Sequence, residues 1–254
     1  MHAGLFSQLA ADFSLTQVRA FSQQNWRLLH YSPGQATLCS GLTCFWLAEK
    51  LQVSAPLSRL DAPDAALLNR IAQLQALSYY PAFPPHFRPG KQDLALLARK
   101  YGTQDWQAIQ RRVAETYQGD YVLYDLVRMF ACASSSIMRL HSLPENLPWL
   151  PSLDAGSAVV GVMRYIENDQ PGGHRVAYWR DHDDKHHFFD PNAGEVIAAD
   201  DASFHRWLAS FLLHAGYRKL RPAEGEAFLT LYLLENVIPL LGDGPHGCAL
   251  VESA

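Results

Sequence analysis

The sequence predicts an α+β fold in a single domain over residues 1–254, with a helical half over about 1–150 and a β half over about 151–254. Three observations predict it. Apolar residues recur at helical spacing through the first half. β-Branched and aromatic alternation takes over in the second. Pro144, Pro148 and Pro151 mark the junction, so the change from helix to sheet is expected between about residues 140 and 157. With 48% hydrophobic residues, the chain can bury one large core or two packed lobes facing each other.

The elements follow in order. "LCSGLTCFWLAEKL" carries Leu38, Leu42, Phe45, Trp46 and Leu51 near helical spacing. "DAPDAALLNRIAQLQALSYY" opens with Asp and Pro, as helix starts do. "PAFPPHFRPG" is a loop by its prolines. "KQDLALLARKYG" is a helix ending on Gly102, and "TQDWQAIQRRVAETY" and "YVLYDLVRMFACAS" continue the helical pattern. "SAVVGVMRY", "HRVAYWRD" and "KHHFFDP" are expected strands, and "RYIENDQPGG" a loop leading into the second of them. "DASFHRWLASFLLHAG" is an amphipathic helix, and "EAFLTLYLLENVIP" is assigned to a strand.

Composition excludes several classes. The net charge is −4 and the 21 Lys and Arg are scattered, so neither nucleic acid nor an anionic membrane surface is an expected partner. No apolar run reaches the ~18 residues of a spanning helix. "MHAGLFSQLAADFS" has neither the basic leader nor the apolar stretch of a secretory signal. Four cysteines in a chain of this length suggest reduced thiols. His182, Asp183, Asp184, His186 and His187 crowd together, but a hairpin would point them to both faces and no distant ligands accompany them. They read as a solvated tip, and no cofactor or metal is implied.

Cys39 and Cys44 lie on one expected helix, five positions apart, where they point in different directions and cannot form a disulfide. A nucleophile and a packed bystander remain. Cys39 stands at the helix start, where the dipole favours thiolate. Cys44 lies beside Phe45 and Trp46, where cysteine behaves as a small hydrophobe. Cys132 and Cys248 adjoin apolar runs and read as structural.

A nucleophilic thiol needs a base and a group that orients the base. Residues 172–196 read as a hairpin around "DHDD". With a three-residue loop at 181–183, Arg180 opposes Asp184 and His174 lies directly opposite Asp190 on the same face, Cβ atoms about 5 Å apart. A one-residue slip would separate the pair. Asn192 is the alternative orienter, and equally suits a turn after Pro191. His174 follows Cys39 by 135 residues, inside the roughly 130–150 window of papain-type cysteine proteases.

"LCSGLTCFW", "GGHRVAYW" and "FFDPNAGEV" together resemble the YopT/AvrPphB family of bacterial effector cysteine proteases. The resemblance implies a papain-like two-lobed fold and a triad of nucleophile Cys39, base His174 and orienter Asp190. Leu42 and Trp46 match the family's apolar helix positions, whereas Arg175 stands where the family has a small residue. Gln35 corresponds to the polar side chain that completes the oxyanion hole, and equally reads as a solvated loop residue. The resemblance further implies a virulence effector, secreted by a type III route, that cleaves a protein inside the host cell. Other outcomes of Cys–His–Asp chemistry, namely deamidation, transglutamination or acyl transfer, stay open, as does a binding module that kept the fold.

Overall fold

The strands predicted after residue 157 form, and each is antiparallel to its neighbours. The structure, a computed structural model, describes residues 2–30, 37–50, 60–77, 98, 102–109, 111, 133–140, 153–167, 169–217, 220–222 and 228–235. Gln35, Cys132, Cys248, the three junction prolines and the loop 81–90 lie outside the described residues. Of the helices expected over 91–102 and 103–117, the described positions Ala98, 106–109 and Arg111 are helical.

Seven strands make one sheet: β1 (Thr16–Ala20), β2 (Ala133–Leu140), β3 (Ala158–Glu167), β4 (Gln170–Arg180), β5 (His186–Asp190), β6 (Gly194–Ala198) and β7 (Leu229–Glu235). Their spatial order is β1-β6-β5-β4-β3-β7-β2. The five central strands come from the predicted β half, but both edges come from the first 150 residues. The expected helix over 121–134 therefore gives way to strand by Ala133, and the change precedes residue 140. β2 lies along β7, so pairing to a distant strand overrode the local helical pattern.

Helices cover both faces. On one, α3 (Cys39–Lys50) and α4 (Ala65–Leu77) share a core with Val160, Ala177, Phe189 and Tyr232. On the other, α1 (His2–Asp12) and α5 (Asp201–His214) pack on Val159, Met163, Tyr178 and Phe188. Burial from both sides explains why all of β5 is buried despite its two histidines. A short helix α2 (Gln23–His30) follows β1. Asp200 caps α5 by accepting from the Ser203 N–H at 2.8 Å. Asp64 does the same for α4 with the Leu67 N–H.

Two local readings change. "RYIENDQPGG" is a hairpin: β3 runs to Glu167, β4 starts at Gln170, and Asp169 supplies the turn with φ 60°. Tyr165 and Gly172 are paired across it, and the tyrosine ring fills the space a side chain at Gly172 would need. The β4–β5 register also differs from the expected one. Arg180 opposes His186 and Ala177 opposes Phe189, around a five-residue loop at 181–185. Asp181 closes that loop through the Asp183 and Lys185 N–H groups, and Asp184 takes φ 63°. Asp190 thereby falls two residues from the position opposite His174. A shift of two keeps both side chains on one face.

α3 meets α4 at Gly41, where an added Cβ would stand 2.3 Å from the Ile71 carbonyl oxygen. Backbone cannot retreat as a side chain can. Gly41→Ala should cost about 1–3 kcal/mol, read by urea denaturation. Gly4, in α1 with nothing within 4 Å of the same position, is the converse: Gly4→Ala should add about 0.5–1 kcal/mol.

Candidate active site

Cys39 is the first residue of α3 and 4% exposed. The Leu42 N–H bonds the Leu38 carbonyl at 3.0 Å, so the helix begins at this thiol. Two buried glutamines hold the amides on either side. Gln23 Oε1 accepts from the Leu38 N–H at 3.0 Å, and Gln75 Oε1 accepts from the Ser40 N–H at 2.8 Å. Sequence reading missed both. Their partners are backbone amides 15 and 35 residues away, which leave no local pattern.

His174 Nε2 lies 2.9 Å from Asp190 Oδ1. The ring also hydrogen-bonds Cys39. With Nε2 committed to Asp190, Nδ1 is the nitrogen left for the thiol. Asp190 is fully buried, and two more donors satisfy it: the Asn192 N–H at 2.7 Å on Oδ1 and Tyr217 Oη at 2.7 Å on Oδ2. Tyr217 also stacks on the His174 ring at 5.5 Å. It too was missed, since it follows α5 and meets the site only through the fold. Asn192 Nδ2 stands 3.5 Å from His174 Nε2, so the closer partner is Asp190.

The charges follow from these contacts. Burial alone pushes the Cys39 thiol up. The hydrogen bond and charge of His174, the Arg175 charge and the Arg175 backbone N–H outweigh it and leave Cys39 below its ordinary range. Burial alone pushes His174 down, but the Asp190 charge and hydrogen bond, with those of Cys39, carry it to about 10. For Asp190, burial opposes ionisation and His174, Asn192 and Tyr217 together overcome it, so it titrates below the usual carboxylate range. The arrangement is a thiol whose ionisation is favoured, beside an imidazole whose protonation is favoured and a carboxylate. It can attack an electrophilic carbon and then return a proton to the leaving group.

The remaining candidates separate. Cys44 is fully buried in the core between the sheet and α3, and Thr43 beside it bonds the Arg175 carbonyl. The expected solvated histidine tip is only partly so. His182, Asp183 and Asp184 are exposed, but His186 and His187 are buried. His186 bonds Tyr178 and Asp201 on one face, and His187 bonds Asp181 and Glu195 on the other. Among the described residues no three His, Cys, Asp or Glu side chains converge as a metal site.

Residues 152–232 match the model of the C58 peptidase family, described as Yersinia/Haemophilus virulence surface antigen, which is the YopT-type family the sequence blocks resemble. The matched segment contains His174, Asp190 and Tyr217 and stops short of Cys39. No curated protein shows a significant sequence match. Among solved structures, the Pseudomonas avirulence protein AvrPphB is similar at 15% identity and TM-score 0.47, over 89% of this chain and 98% of that one.

The pKa directions set a pH window. His174 is raised to about 10, so its contribution to stability is complete below about pH 6.5, the unfolded value, and is lost as pH rises through the folded one. Asp190 is lowered, so its contribution is present above about pH 4 and lost as pH falls. Both are complete only between about pH 4 and 6.5. The melting-temperature deficit of Asp190→Asn should therefore be largest in that window and shrink toward pH 10 in a series of thermal scans.

Proposed function

We propose that the chain is a cysteine endopeptidase in which Cys39 is the nucleophile, His174 the base and Asp190 the orienter, acting as one papain-like catalytic domain over residues 1–254. The observation that carries this is the line of contacts from the helix-start thiol through His174 to Asp190 at 2.9 Å. The peptidase-family match over residues 152–232 supports a protein substrate.

The Cys39 thiolate attacks the scissile carbonyl carbon, and the carbonyl electron pair moves to oxygen. The Cys39 N–H at the helix start and Gln35 stabilise that oxyanion. As the C–N bond breaks, His174 Nδ1 gives its proton to the departing amine and an acyl-thioester remains. Water, deprotonated by the same nitrogen, adds to the acyl carbon, the C–S bond breaks, and the acid is released with the Cys39 thiolate and protonated His174 restored. Asp190 holds the ring so that Nδ1 faces the sulfur throughout. We further propose that the substrate is a host-cell protein and that the chain is delivered as a virulence effector by type III secretion, a reading supported by the matched family's description as a virulence surface antigen.

Cys39→Ala should abolish turnover with little loss of stability. Cys44→Ala should stay active and cost about 1 kcal/mol through lost packing. Mass spectrometry of new protein N-termini in a host lysate reads turnover. A +1 Da change at glutamine without cleavage would mark deamidation, and labelling of Cys44 in preference to Cys39 by limiting iodoacetamide would overturn the nucleophile.

A further inference from the structure

We propose that Thr43 is a positioning residue: its hydroxyl docks the helix that carries Cys39 on the strand that carries His174, and so sets how closely thiol and imidazole engage. This rests on the proposed function only in taking Cys39 and His174 as the reacting pair.

β4 has an open edge beside the site. Arg180 donates to the Ser157 carbonyl and accepts from the Gly156 N–H, so both of its backbone groups face the β3 side. Backbone groups alternate sides along a strand, and β4 keeps one register against β3 from Gln170 to Trp179. Even-numbered residues of β4 therefore turn their N–H and C=O toward β3, and Arg175 turns both the other way. On that side β5 pairs with residues 177–180 and ends at Asp190. Continuing the register places Pro191 across from Arg175, and proline has no N–H to offer. The Pro191 carbonyl is itself taken by the Gln23 N–H at 2.7 Å. Arg175 is buried, so its carbonyl needs a donor from outside the sheet.

α3 supplies that donor. Thr43 is fully buried, and its Oγ1 donates to the Arg175 carbonyl at 3.2 Å. A helical threonine has a local alternative, the carbonyl one turn back, which here is that of Cys39. The single hydroxyl proton goes to β4 instead. Four positions at about 100° each bring Thr43 to within about 40° of Cys39 around the helix. Hydroxyl and thiol thus face the same strand, at the residue next in the chain to His174. The Arg175 N–H, the partner group of that carbonyl, is among those that favour the Cys39 thiolate. The tethers farther along α3, from Trp46 and Lys50, run to Glu195 on β6. Those hold the far half of the helix, and Thr43 holds the near half against β4.

Thr43 carries two groups that substitution can separate. Thr43→Val keeps the shape and loses the donor, which leaves the Arg175 carbonyl unmet. Thr43→Ser keeps the donor and loses a methyl. If Thr43 only packs, the two variants differ in stability and not in thiol reactivity. If it positions, reactivity follows the hydroxyl.

The decisive measurement is the pH profile of Cys39 alkylation by limiting iodoacetamide, read by peptide mass spectrometry beside a thermal scan of each variant. The reagent needs a thiolate and no protein substrate. In Thr43→Val the acid limb should move up by about one pH unit, a tenfold slower labelling on that limb. Thr43→Ser should keep the limb of the unaltered protein while melting lower. Cys44→Ala, next along the same helix, is the control and should leave the limb in place. An unmoved limb in folded Thr43→Val would overturn the proposal, as would an equal shift in Thr43→Ser. If Thr43→Val does not fold, Thr43→Ala reads the same limb. Unfolding of both would overturn the proposal too, because the hydroxyl would then hold the fold and not the pair. Failure of the proposed function looks different. A shifted limb in Thr43→Val, with no new N-termini made by the unaltered protein in a host lysate, would uphold Thr43 and reject the endopeptidase. Cys39 of the unaltered protein labelling no faster at pH 6 than an ordinary thiol would overturn both.

Discussion

The site is organised around a carboxylate with no exposure to water. Asp190 cannot stay ionised in the interior unless donors replace its hydration, and an unpaired buried charge costs several kcal/mol. Its donors come from three places: His174 on β4, the turn after β5, and Tyr217 beyond α5. Satisfying one side chain thus forces strand, turn and helix end into a single arrangement. The turn itself is clamped from the sheet edge. Gly194 starts β6 with φ 123°, and a Cβ there would stand 2.1 Å from the Arg19 carbonyl oxygen of β1. Only glycine lets β1 lie close enough for the Phe21 and Gln23 amides to bond Ala193 and Pro191.

A second buried carboxylate places the helix that carries Cys39. Glu195, 1% exposed on β6, accepts from Trp46 Nε1 at 2.9 Å and pairs with Lys50 at 2.7 Å, both on α3. Burial disfavours its charge, but His187 and Lys50 outweigh that and hold it below the ordinary range. Trp46 also stacks on Phe189, ring centroids 5.5 Å apart. These contacts fix the rotation and axial position of the helix two turns beyond Cys39, while Gln23 and Gln75 fix its first turn. The thiol is therefore located by contacts on either side of it, and its own side chain stays committed to His174.

Geometry and electrostatics reinforce each other here. A thiolate in a dry site would ordinarily revert to thiol, because burial penalises the anion. The adjacent imidazolium reverses that balance, and the carboxylate behind it prevents the imidazole from losing its own proton. Each charge is tolerable only because the next is present. This coupling explains why the three groups share one buried line.

What the sequence determined by itself was set by periodicity and local chemistry. Helical spacing and the dipole argument placed Cys39 at the start of α3 and Cys44 in its packed interior, because a helix turns by a constant angle. The strand period of two put His174 and Asp190 on one face, and that survived a register two residues away from the expected one. The tertiary structure alone decided the five-residue loop that sets the register, the two edge strands drawn from the helical half, and the burial of His186 and His187. It also decided the roles of Gln23, Gln75, Tyr217 and Glu195. Those side chains act through amides, hydroxyls and cations far away in the chain, and a partner brought near only by folding has no spacing in the sequence to announce it.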